Sequence, residues 1–106
     1  MSIKKKKSDA VKFLEKLSGG PLSLGQLIES MRQAENMPQT KFAEKLGISK
    51  SHLCDIEKGR KSVSAAKAAE FAKILGFSNH QFVRLALQDE LNRSGIALKI
   101  NIEQAS

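Results

Sequence analysis

The chain of 106 residues has neither tryptophan nor tyrosine, only two prolines, and a single cysteine, Cys54. One cysteine permits no intrachain disulfide and no multi-cysteine metal site, and it agrees with a reducing, cytoplasmic setting. Aromatic residues make up 5% of the chain, all of them phenylalanine. A core drawn from Leu, Ile, Ala and five Phe suits packed helices better than a sandwich of β-branched and aromatic strands. No apolar run approaches the ~20 residues that span a bilayer, and the N-terminal lysines are not followed by the apolar segment of a signal peptide. A soluble cytoplasmic protein with no membrane partner is the expectation. Paired carboxylates in a recognisable motif, a Gly-rich phosphate loop, a Cys/His dyad and a metal-ligand cluster are all missing, so neither an enzyme nor a cofactor is expected. Single-stranded RNA binding is disfavoured because its stacking platforms need exposed aromatics, and these phenylalanines fall mostly at inward helix positions.

What is abundant is positive charge. Eighteen Lys and Arg stand against eleven Asp and Glu, a formal charge of +7. The excess is uneven. Residues 1–22 carry six lysines against Asp9 and Glu15, and residues 38–67 carry seven bases against Glu44, Asp55 and Glu57, while the rest is close to neutral. Two basic stretches fit a polyanionic partner, although a solvated basic surface would look the same from charge alone.

Along the chain, residues 1–7 read as a flexible basic arm. Ser8 can cap a first helix with Val11, Leu14 and Leu17 on one face, stopped by Ser18-Gly19-Gly20-Pro21. Ser23 and Gln26 have the spacing of a capping box, and Leu24, Leu27, Ile28 and Met31 follow at helical intervals up to Asn36. Pro38 opens a short helix with Phe42, Ala43 and Leu46 inward and Gly47 at its end. Ser49 caps the next, with Leu53 and Ile56 inward and Gly59 closing it. Two short helices joined by Gly47-Ile48-Ser49 form a helix-turn-helix unit. Ser64 then caps an Ala-rich helix with Ala65, Ala68, Ala69, Ala72 and Leu75 inward. Ser78 and Gln81 give a second capping box before a last helix burying Phe82, Val83, Ala86, Leu87 and Leu91. After Ser94-Gly95, Ile96, Leu98, Ile100 and Ile102 alternate with other residues at a period of two, the pattern of a strand. A lone strand must pair with a second copy, pair with a partner, or lie along the helices.

Residues 39–59, QTKFAEKLGISKSHLCDIEKG, resemble the XRE/Cro-repressor family of helix-turn-helix domains. Gln39, Phe42, Ala43, Leu46, Gly47, Ile48, Ser49, Leu53, Ile56, Glu57 and Gly59 match the family's spaced pattern, and with flanking helices the resemblance covers about residues 23–77. It implies an all-α fold, a five-helix lambda-repressor-like helix-turn-helix domain over 21–93, to which the residue pattern adds a basic arm and extra N-terminal helix over 1–20 and a short strand-like tail over 94–106. Val63 departs from the family, standing where proline usually precedes the serine of the next helix.

A recognition helix needs one apolar face for anchorage and its opposite face free for base edges. Here Leu53 and Ile56 anchor, leaving Lys50, Ser51, His52 and Asp55 outward. The resemblance implies that Lys50, Ser51 and Asp55 face bases, that Gln39 bonds a phosphate and braces the recognition helix, and that Lys58, Arg60 and Lys61 approach the phosphates. His52 either joins this surface or is an ordinary exposed residue. Asp55 either accepts from cytosine N4 or pairs with a nearby base such as Lys58. Glu57 is expected to be structural, paired with a basic residue. Lys4, Lys5, Lys6 and Lys7 could follow the minor groove, or serve as a solubilising tail.

The function implied is sequence-specific recognition of double-stranded DNA by a nucleoid-associated homodimeric repressor. The alternative is an antitoxin that regulates its own operon and neutralises a toxin protein. The last helix and the 96–102 tail are candidates for the dimer contact.

Overall fold

A computed structural model describes residues 22–103 and residue 105, and among them the chain forms five helices and no strand. These are α1 (Leu24–Ala34), α2 (Gln39–Leu46), α3 (Lys50–Glu57), α4 (Ala65–Leu75) and α5 (Asn79–Arg93). The anticipated basic arm and N-terminal helix lie outside the described residues.

Serine starts four of these five helices, because its hydroxyl satisfies an amide that the first turn leaves unbonded. Ser23, Ser49, Ser64 and Ser78 accept from the backbone N–H of Gln26, His52, Lys67 and Gln81 respectively. At Ser23 the box is complete, since the Gln26 side chain accepts from the Ser23 N–H at 2.9 Å. The second expected box is only half formed. The Gln81 side-chain oxygen is taken by Arg84, at 3.3 Å from Nε and 3.0 Å from Nη2. Pro38 flanks α2 as its N-cap, in extended conformation and with no side-chain cap. Gly47, with φ 74°, ends α2 in the left-handed region that any Cβ would disfavour.

The core runs through all five helices. Leu24, Leu27 and Ile28 come from α1, Phe42, Ala43 and Leu46 from α2, and Leu53 and Ile56 from α3. The two C-terminal helices supply Ala68, Phe71, Ala72, Phe82, Leu85 and Ala86. Two details differ from the sequence pattern. On α4 the anchor is Phe71, fully buried between small alanines, while Ala65, Ala69 and Leu75 are only half-buried. On α5 the buried stripe is Phe82, Leu85 and Ala86, and Val83, Leu87 and Leu91 are half-buried on its flank. The physical reason is the partner: α5 packs chiefly on α4, and that neighbour, more than the helical period, selects which flank is covered.

Two close approaches position the remaining elements. A Cβ built on Gly25 would collide with the Ile56 carbonyl oxygen, so the glycine lets α1 lie directly against the end of α3. At the entry to α1, the Leu24 N–H donates to Asp89 Oδ2 at 3.0 Å, tying α1 to α5. Burial raises the Asp89 pKa above the ordinary carboxylate value, opposed by the Leu24 bond and by Arg93.

The tail does not form the anticipated strand. Among the described residues no strand is present to complete a ladder. Gln88 of α5 supplies the missing partner instead: its Nε2 donates to the Leu98 carbonyl at 2.8 Å, and its Oε1 accepts from the Ile100 N–H at 2.7 Å. The Leu98 N–H turns back to the Ile96 carbonyl at 2.9 Å. Within the chain the segment lies along α5, with Ile96 and Leu98 left exposed.

Candidate nucleic-acid interface

The two-helix unit is built from α2, a turn of three residues, and α3. Beyond Gly47, the Ile48 N–H donates to the Ala43 carbonyl at 3.0 Å, and half-buried Ile48 packs on the core, so the turn is fixed by both backbone and side chain. Ser49 then starts α3, its hydroxyl accepting from the His52 N–H at 3.0 Å. Leu53 and Ile56 are buried, and the outward side is polar: Lys50 and Ser51 are exposed, His52 and Asp55 half-buried. Lys50 sits in the first turn, where the positive end of the helix dipole gains nothing from a cation. Its charge serves no ion pair among the described residues.

The end of α3 is held by a buried network. The Glu57 side chain has no solvent exposure and meets Arg32 of α1, Nε to Oε2 at 2.7 Å and Nη2 to Oε1 at 3.1 Å. Arg32 Nη1 also donates to the Met37 carbonyl at 3.0 Å. Gln39 Nε2 donates to Glu57 Oε1 at 2.9 Å, so the first residue of α2 grips the last residue of α3. The hydrogen bond to Glu57 also raises the Arg32 pKa, against the opposing effect of burial. Arg32 carried no role in the sequence pattern. An acid at an inward helix position is the signal that a cation must be buried beside it, because a lone carboxylate there would be severely penalised.

Asp55 pairs with Arg60 and not with Lys58. Arg60 Nε lies 2.8 Å from Asp55 Oδ1, and Arg60 Nη2 lies 3.5 Å from the Cys54 sulfur. The choice of partner comes from the loop. The N–H groups of Arg60 and Lys61 both donate to the Asp55 carbonyl, at 2.7 and 3.1 Å, after Gly59 has turned the chain with φ 78°. That turn brings residue 60 back alongside α3, while Lys58 and Lys61 stay exposed without ion pairs among the described residues. Val63, the departure from the family pattern, packs its side chain on the core, and Ser64 keeps its cap.

The structure therefore groups Lys50, Ser51, His52 and Asp55 on one helix, with Lys58, Arg60 and Lys61 in the loop that follows it. Lys4, Lys5, Lys6 and Lys7 lie outside the described residues. Among the described residues no three His, Cys, Asp or Glu side chains are grouped to hold a metal ion, and none of their helices is long and apolar enough to cross a membrane.

Comparison with known proteins finds a match to the helix-turn-helix family model over residues 28–79. No curated protein and no solved structure gives a significant match. The matched segment runs from within α1 to the start of α5 and contains the whole α2–turn–α3 unit. Fold, motif and family model agree: the chain belongs to the XRE-type helix-turn-helix family, whose members are DNA-binding transcription regulators.

Proposed function

We infer that this regulator is a repressor that reads double-stranded DNA through the major groove as a homodimer, with α3 as the recognition helix. The observation that carries the reading is the division of α3 into a buried face, Leu53 and Ile56, and an outward face that begins with exposed Lys50 and Ser51. Lys50 can donate to guanine O6 and N7, and Ser51 can donate or accept. His52 flanks them. Gln39, Lys58 and Lys61 would meet the phosphates, and Lys4, Lys5, Lys6 and Lys7 would add contacts from the arm. The role is one of binding and not catalysis, in the cytoplasm at the nucleoid.

A single unit of this size covers a short half-site, so useful specificity calls for two copies about one helical turn, ~34 Å, apart. Exposed Ile96 and Leu98 on the tail favour a protein contact there. In the repressor reading that partner is a second copy; in an antitoxin, the second reading, it is a toxin protein. Selection of bound sequences from a randomised duplex pool tests the function, with enrichment of a symmetric site as the expected result. Replacing Lys50 and Ser51 together with alanine should abolish the preference and leave the fold intact. Unchanged binding of that variant in a gel-shift titration would remove α3 as the reading helix.

A further inference from the structure

Asp55 stands out on a face offered to DNA because a carboxylate approaching a groove lined by phosphates is repelled. Its surroundings answer that objection. The Arg60 guanidinium bonds Oδ1 through Nε at 2.8 Å. The Arg60 backbone is anchored to the Asp55 carbonyl at 2.7 Å, and its Nη2 lies against the Cys54 sulfur. Three contacts thus tie Arg60 to the turn of α3 that carries Cys54 and Asp55.

The other carboxylate oxygen, Asp55 Oδ2, has no hydrogen bond among the described residues, and the carboxylate is only half-buried. Ser51, one helical turn earlier, is exposed on the same side of α3.

We propose that Asp55 is a base-reading acceptor for the exocyclic amino group of cytosine, and that Arg60 is its positioning residue, neutralising and orienting the carboxylate in place of contacting a phosphate. The inference rests on the DNA-reading function proposed above and deepens it. Arg60 compensates the negative charge through Oδ1, and Oδ2 remains to accept a hydrogen bond. The choice of base follows from the groove edge. Cytosine N4 has an acceptor, guanine O6, on one side only, whereas adenine N6 lies between adenine N7 and thymine O4, two acceptors that a carboxylate would meet unfavourably. Pairing with Arg60 and reading a base are therefore compatible roles for Asp55.

The test is selection from a randomised duplex pool with the full chain, its D55A, R60A and R60K variants, and the D55A/R60A double variant, each first checked for an unchanged thermal melt. The wild type should enrich cytosine at one position of each half-site, and D55A should lose roughly tenfold discrimination there. R60A should flatten the same position, R60K should restore part of the preference, and the double variant should flatten it no further than either single change. If R60A weakens every sequence alike and lowers the log–log salt slope by about 0.9 with the base profile intact, Arg60 is a phosphate contact and the positioning role is overturned. An enriched site whose profile D55A leaves unchanged, or whose affected position prefers another base, overturns this inference and leaves the DNA-reading function standing. A wild-type chain that enriches no sequence overturns the DNA-reading function itself, and this inference with it.

Discussion

Arg32 holds Glu57 through two hydrogen bonds, Nε to Oε2 at 2.7 Å and Nη2 to Oε1 at 3.1 Å, while its third nitrogen reaches the Met37 carbonyl. One guanidinium thereby joins α1, the loop before α2 and the last residue of α3. Gln39 adds the start of α2 to the same carboxylate. This cluster and the apolar anchors Leu53 and Ile56 together hold the proposed recognition helix against the rest of the fold.

Arg32→Ala should therefore destabilise the fold by about 3 kcal/mol, the scale for removing one partner of a buried pair and leaving the other charge uncompensated. Urea unfolding followed by circular dichroism measures it. A loss below about 1 kcal/mol would place the pair in the class of surface salt bridges.

Gly25→Ala sets two effects against each other. Alanine gains about 1 kcal/mol of helix propensity over glycine, but its Cβ would strike the Ile56 backbone carbonyl. Backbone cannot swing aside as a side chain can, so net destabilisation of about 1–3 kcal/mol is expected. A raised melting temperature would show that α1 can move off α3 freely.

The pH dependence should carry a contribution from Asp89. Burial raises its folded-state pKa above the ordinary carboxylate value, so in that interval the folded chain binds more protons than the unfolded one. Its contribution to stability is present below the ordinary value and is lost as pH rises through the folded one. Asp89→Asn, which keeps an acceptor for the Leu24 N–H, should gain stability relative to wild type on going from about pH 3 to about pH 7. Denaturant titrations at the two pH values give the sign, and a relative loss at neutral pH would contradict it.

Gln88→Ala should release the tail without unfolding the helices. The Ile100 amide would be left without its acceptor, and its hydrogen exchange should accelerate toward that of an open segment while core amides such as Leu85 keep their protection. Unchanged exchange at Ile100 would mean that the clamp does not hold the tail in solution.

Deleting residues 1–7 tests the arm. Binding should weaken across all DNA sequences, with the log–log salt slope falling by about 0.9 for each phosphate that the lysines no longer neutralise. An unaltered slope would leave Lys4, Lys5, Lys6 and Lys7 as a solubilising tail.

Much of the architecture was legible locally. The serine caps, Gly47 and the spacing of Phe42, Leu46, Leu53 and Ile56 depend on neighbours within one or two turns, and the helices begin and end where those residues place them. The choice of Phe71 and Leu85 as core residues over Ala69 and Leu87 was not legible, because it depends on how α4 and α5 lie against each other.

The helical segments, the helix-turn-helix unit and the outward residues of α3 follow from the order of residues alone, since hydrophobic period, caps and turn glycines are short-range properties of the chain. The partners needed the folded arrangement: Arg32 for Glu57, Arg60 in place of Lys58 for Asp55, and Gln88 for a tail that alternates like a strand. Those pairings join residues far apart in the chain or across a tight turn. Periodicity carries no information about which side chain closes such a distance.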